Sequence, residues 1–148
     1  MEKEIVIDGK NATMGRLASY AAKQTLLGKK VIIVNSNEVV IIGNEKDIIS
    51  KYQRKYSLGG SSLKGPKVAK SPERLLKRTV RGMLPHKKGR GRMVFREVIC
   101  YNETPEEYKE VKKIHAGKEK RGKYITLKHL FKVINYVFAF LPIRRNLG

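Results

Sequence analysis

The sequence predicts an α/β fold built around a largely parallel sheet. Three observations lead there. Strand-like and helix-like segments alternate along the chain, as they do in crossover-connected parallel sheets. Val31 to Asn35 is a β-branched run of the kind found in strands buried on both faces. The chain has 148 residues, 41% of them hydrophobic, which suits one domain with a modest core and argues against wholesale disorder.

Taken in order, Glu4 to Asp8 reads as a short strand, followed by a turn at Gly9-Lys10-Asn11. Thr13 stands at the cap of a helix running from Met14 to about Leu27, which Gly28 ends. At about 100° per residue, Met14, Leu17, Ala18 and Ala21 share one face, with Arg16 and Lys23 opposite. Val31 to Asn35 and Val39 to Ile42 are strands. Only Ser36-Asn37-Glu38 separate them, too few for a parallel crossover, so they form a hairpin or one lies outside the main sheet. Glu45 to about Tyr56 is a helix. Leu58 to Ser71, with three glycines and Pro66, is an extended loop. Ser71-Pro72-Glu73 opens a helix that runs to Leu84 and stops before Pro85. Residues 85–93 form a second extended basic loop, and Val94 to Tyr101 is one more strand. Pro105-Glu106-Glu107 opens a turn or short helix. Thr126 to Tyr136 is helical, and 137–148 is a tail.

Charge narrows the function. Lys and Arg total 33 against 13 Asp and Glu, a formal net charge of +20. Residues 1–49 are nearly balanced, with 7 cations and 6 acids, whereas residues 50–92 hold 14 cations and a single acid, Glu73. Solvated surfaces usually interleave both signs, so this crowding points to a polyanionic partner, and nucleic acid fits best.

The helix opened by Pro72 carries the argument. Leu75, Leu76, Thr79, Val80 and Met83 fall on one side; Arg74, Lys77, Arg78 and Arg81 fall within about 100° of each other on the other. Docked by its apolar side, the helix presents a cationic stripe rich in arginine, whose planar fork suits bidentate phosphate contacts. His86, Lys87, Lys88, Arg90 and Arg92 follow, interleaved with glycines that let a backbone approach a phosphate chain. The loop before the helix, with Lys64, Lys67 and Lys70, is similar in character. A further cluster, Lys118 to Lys123, brings Lys120 and Arg121; it either continues the same surface or is a solvated turn. Tyr52 and Tyr56 stand among Arg54 and Lys55. Packing through one helix face is the favoured reading of the tyrosines over stacking on bases, and the two cations join the candidate RNA contacts.

Gly15-Arg16-Leu17-Ala18-Ser19, the run from Val31 to Gly43 and above all Arg78-Thr79-Val80-Arg81-Gly82-Met83-Leu84-Pro85-His86-Lys87 closely resemble the L-thirteen family of large-subunit ribosomal proteins, in its archaeal and eukaryotic branch. The resemblance runs from about Ile5 to Tyr108. It implies a three-layer α/β/α fold around a four-stranded parallel sheet, binding to large-subunit rRNA, and contact with neighbouring ribosomal proteins. By position, Arg78, Arg81, His86 and Lys87 match the family's RNA-facing block, and Arg16 matches the arginine of its first helix. Two departures stand out. Lys67-Val68-Ala69-Lys70 replaces a stretch where relatives often carry aromatic and histidine residues, and Glu103 replaces a common glycine.

Other chemistries are set aside. Gly9 to Gly15 sits where a phosphate-binding loop would, but Arg16-Leu17 replaces the Lys-Ser/Thr pair that holds phosphates and Mg²⁺; a tight turn with Gly15 packing near the sheet is the better reading. His86, His115, His129 and Cys100 show no zinc-ligand spacing, so no metal or cofactor is expected, and Cys100 reads as a small core residue. One cysteine and no apolar N-terminal run suit a soluble, intracellular protein. The stretch from Val133 to Ile143 is about half the length of a membrane span. The expectation is a non-enzymatic rRNA-binding component of the cytoplasmic large ribosomal subunit, one domain over 1–148, not an obligate homo-oligomer. A nucleic-acid-modifying enzyme or a DNA-compacting protein would use the same basic surface.

Overall fold

A computed structural model of the chain describes residues 4–58, 69–117 and 122–140, with side chains as far as 136 in the last segment. Strands β1 (Glu4–Asp8), β2 (Lys30–Val34), β4 (Val98–Cys100) and β5 (Ile114–His115) form a four-stranded, wholly parallel sheet in the order β4-β2-β1-β5. Helices α1 (Met14–Leu26), α2 (Glu45–Ser57), α3 (Pro72–Gly82), α4 (Gly89–Arg96) and α5 (Leu127–Phe140) complete the α/β architecture. A separate antiparallel pair joins β3 (Val40–Ile42) to β6 (Tyr124–Thr126).

The strand order explains how the layers are built. Steps from β1 to β2 and from β2 to β4 run in one direction across the sheet, so right-handed crossovers place their helices on one face. There Ile5, Ile7, Val31, Ile33 and Val98 meet Leu17, Leu76, Val80, Leu130 and Ile134 in the main core. The step from β4 back to β5 reverses direction, so residues 101–113 cross the opposite face. Tyr101 and Tyr108 from this crossover pack on Val6, Ile32 and Val34. Among the described residues the three layers are therefore unequal, the second outer one containing a single 3-10 turn at Glu106–Tyr108.

Asn35 decides the fate of the two adjacent β-branched runs. It adopts a left-handed conformation (φ 58°), which asparagine tolerates, and a 3-10 turn at Ser36–Glu38 then carries the chain out of the main sheet. Asn35 Nδ2 donates to Asp8 Oδ1 at 2.9 Å, and Thr104 Oγ1 donates to Asn35 Oδ1 at 2.9 Å, tying three segments at the carboxyl end of the sheet. The second run, β3, lies outside the main sheet and pairs with β6.

Several expectations need correction. Residues 89–96 are helical, so 85–93 is not an extended loop and the strand expected over Val94 to Tyr101 shrinks to β4. Gly91, Val94 and Phe95 recur at i, i+3 and i+4, a helical spacing that the apolar content masked; all three are turned inward. Helix α3 ends at Gly82 rather than Leu84, and Met83 is 43% exposed, outside the apolar face assigned to it. Helix α5 extends to Phe140, so the tail begins later than 137, and residues 141–148 lie outside the described residues. Gly15 lies in the first turn of α1 with open space around it, not against the sheet.

Candidate nucleic-acid interface

Helix α3 is fixed from three directions. Leu75, Leu76 and Val80 are buried in the main core, each contributing about 1.5–3 kcal/mol of apolar transfer. Ser71 occupies the N-cap with extended backbone, yet its hydroxyl makes no capping bond; the Glu73 N–H donates instead to Asn102 Oδ1 at 3.1 Å. The cap is thus supplied from the segment after β4. At the other end, His86 Nδ1 lies 3.1 Å from the Arg81 carbonyl oxygen, folding the following turn back onto the last residues of the helix.

With its apolar side buried, α3 turns its cations toward one open groove of about 510 Å³ lined by Ala69, Lys70, Arg74, Lys77, Arg78, Arg81 and Phe95. Five of the sequence-predicted residues therefore meet in one place. Lys77 Nζ sits 5.1 Å from the centre of the Phe95 ring, a cation–π contact that joins α3 to α4 across the groove. Tyr56 Oη donates to the Ala69 carbonyl, which ties the end of α2 to the start of the groove. Burial, then the neighbouring Tyr52, push the Tyr56 phenol up to about 12, with Arg78 pulling the other way.

The other described candidates do not line this groove. Lys87 and Lys88 are exposed on the turn after α3, and Arg90 and Arg92 are exposed on α4. Gly91 does not serve close phosphate approach: a Cβ there would meet the Pro85 carbonyl oxygen at 1.9 Å, so its bare backbone locks α4 onto the turn. Arg16 is exposed on α1, and Arg54 and Lys55 are exposed on α2, none of them lining the groove. Lys55 Nζ lies 5.1 Å from the Tyr52 ring, and both tyrosines pack inward, as the favoured reading had it. Lys64, Lys67, Lys120 and Arg121 lie outside the described residues.

Sequence reasoning missed Phe95, Ala69 and Asn102. Phe95 was legible only through its helical spacing from Gly91, whereas Ala69 and Asn102 act through backbone placement and a long-range cap that no local pattern announces.

The other reactive groups are arranged for packing. Cys100 packs against the main core, and burial pushes its thiol up to about 12, far from a nucleophile's range. His115 Nδ1 stands 3.9 Å from Asp8 Oδ2, and His129 Nε2 stands 2.7 Å from Glu45 Oε1 on the surface. Among the described residues, no group of three or more His, Cys, Asp or Glu is placed to hold a metal ion, and no helix is long and apolar enough to cross a membrane.

Comparison with known proteins supplies the decisive observation: the family described as ribosomal protein L13 matches residues 2–107. The chain belongs to the ribosomal protein L13 family. Among its relatives, the large ribosomal subunit protein uL13 of Methanocaldococcus jannaschii is 41% identical over 136 residues, 90% of this chain and 98% of the relative. That of Archaeoglobus fulgidus is 38% identical over 137 residues, 88% and 87% of the two chains. The Caenorhabditis elegans protein of the same name is 37% identical over 121 residues, 80% of this chain and 60% of the relative. The likeness first drawn from the Arg78 to Lys87 block holds, and these relatives span archaea and a eukaryote. The L13 match ends just before Tyr108, so β5, β6 and α5 lie beyond it, while the alignment to the M. jannaschii relative covers most of the chain.

Proposed function

We propose that the chain is a structural constituent of the large ribosomal subunit that binds large-subunit rRNA. In this reading it forms a single rRNA-binding domain in the cytoplasmic ribosome and acts without catalysis. It needs neither a membrane nor a second copy of itself. The observation that supports it is the convergence of Lys70, Arg74, Lys77, Arg78 and Arg81 on one open groove. Such a surface neutralises phosphates where RNA segments approach one another and so stabilises their packing during assembly and translation. Lys87, Lys88, Arg90 and Arg92 extend the same basic region along the chain. The family's relatives bear the name of large-subunit proteins, which agrees with this role.

Backbone neutralisation makes a quantitative demand. Each phosphate contact contributes about 0.7 to 0.9 to the slope of log affinity against log salt. Replacing Arg78 and Arg81 together by Ala should therefore flatten the slope by about 1.4 to 1.8 while the domain stays folded. An unchanged slope removes the pair from the interface. A chain that sediments apart from large subunits in gentle, low-salt gradients overturns the assignment altogether.

A further inference from the structure

We infer that the face of the sheet opposite the basic groove docks another protein, through a segment that brings an apolar side chain flanked by lysine or arginine. The inference rests on the reading of the α3 groove as the RNA-facing side.

The crossover from β4 to β5 leaves an open groove of about 350 Å³ at the edge of β1, lined by Ile5, Val6, Tyr108, Val111 and Ile114 together with Glu4 and Lys112. Val111 is 44% exposed there. The Tyr101 and Tyr108 rings lie 6.1 Å apart and brace the crossover against Val6, Ile32 and Val34, so the groove has a stiff wall. Its lining is mainly apolar and holds one cation, Lys112, against five in the α3 groove.

The charge of this face selects the occupant. In a chain of net charge +20, the crossover reverses the balance: four glutamates, Glu103, Glu106, Glu107 and Glu110, stand against three lysines. All four are exposed, as is Glu4 at the groove itself. Helix α3 and its cations pack on the other side of the sheet, so the fold separates a basic face from a locally acidic one. A polyanion is repelled by the acidic face, whereas a cationic protein segment is attracted and held in register by it. The apolar groove then supplies a site for an anchoring side chain at the centre of the contact.

Photocrosslinking in assembled large subunits tests this. Benzoylphenylalanine placed at Val111 is expected to give an adduct that survives ribonuclease and is destroyed by protease, the attached peptide carrying Lys or Arg beside an apolar residue. The same probe at Arg74 is expected to give an RNA adduct. Glu107→Lys with Glu110→Lys should lower the Val111 adduct about tenfold, the loss of one close cross-interface charge pair, and leave the Arg74 adduct unchanged. Where the Val111 probe keeps the chain out of subunits, Lys112 on the same groove carries it instead. An adduct to RNA, to residues 1–3 of the chain itself or to an acidic or neutral segment, or no adduct at all, overturns the docking inference. Failure of the Arg74 probe to reach RNA while the Val111 adduct forms counts against the rRNA reading instead.

Discussion

Replacing Gly91 by Ala tests whether the basic segment after α3 is a folded part of the protein or is moulded by its partner. A Cβ at this position would stand 1.9 Å from the Pro85 carbonyl oxygen and 2.3 Å from its carbonyl carbon. Both are backbone atoms, so no rotamer change relieves the overlap; α4 and the turn must separate by about 1.5 Å to regain ordinary contact. Overpacking of this kind costs about 3 kcal/mol. Gly89, two residues earlier on the same helix, has open space around it, and Gly89→Ala should stabilise by about 0.5–1 kcal/mol through lower backbone entropy. With an m value near 2 kcal/mol/M, the Gly91 variant should lose about 1.5 M in urea midpoint. Its RNA affinity should fall too, because α4 carries Phe95 and the exposed Arg90 and Arg92. Equal midpoints for the two variants would show that the 85–92 segment is not locked in the free protein.

Two other perturbations address the support of the site. Asn102→Ala removes the cap of α3 and should cost about 1 kcal/mol, read as a lower melting temperature together with faster amide exchange in the first turn of α3; exchange unchanged there would return the cap to Ser71. Cys100 and Tyr56 hold their protons more tightly in the folded chain, both at about 12 against ordinary values of 9 and 10. Their contribution to stability is therefore complete below about pH 9 and is lost as pH rises toward 12. Denaturant midpoints should fall across that alkaline window, and native Cys100 should resist iodoacetamide at pH 8 while the unfolded chain reacts; rapid native labelling would contradict the burial.

Much of this molecule can be read from the sequence, and what cannot shares a physical cause. The β-branched run at 31–35 and the Leu75, Leu76, Val80 face announced β2 and α3 because burial on a regular element leaves a period in the sequence. The cations of α3 were legible for the same reason, being the complement of that face. Helix α4 was hidden because Gly-Arg-Gly-Arg has low helix propensity, and the interlock of Gly91 with Pro85 overrides that preference. The turn at Asn35, the cap from Asn102 and the seat of Ala69 depend on residues distant in the chain, which no local spacing encodes.

The segregation of charge has a thermodynamic consequence with a definite sign. Fourteen cations and one acid fall within residues 50–92, and those on α3 are held on one helix face by the burial of Leu75, Leu76 and Val80. In the free chain they repel one another, which lowers stability at low ionic strength. Raising salt from 0.01 M to 0.1 M shortens the screening length from about 30 Å to about 10 Å and relieves that repulsion. The same salt weakens the proposed RNA complex, because each counterion released on binding gains less entropy of dilution. Salt should therefore raise the melting temperature of the free protein while it weakens the RNA complex. Arg78→Ala with Arg81→Ala should reduce both dependences together, since one set of charges causes both. A melting temperature that falls with salt, or a double variant that alters only one of the two, would mean that the repulsion and the RNA contacts arise from different parts of the surface.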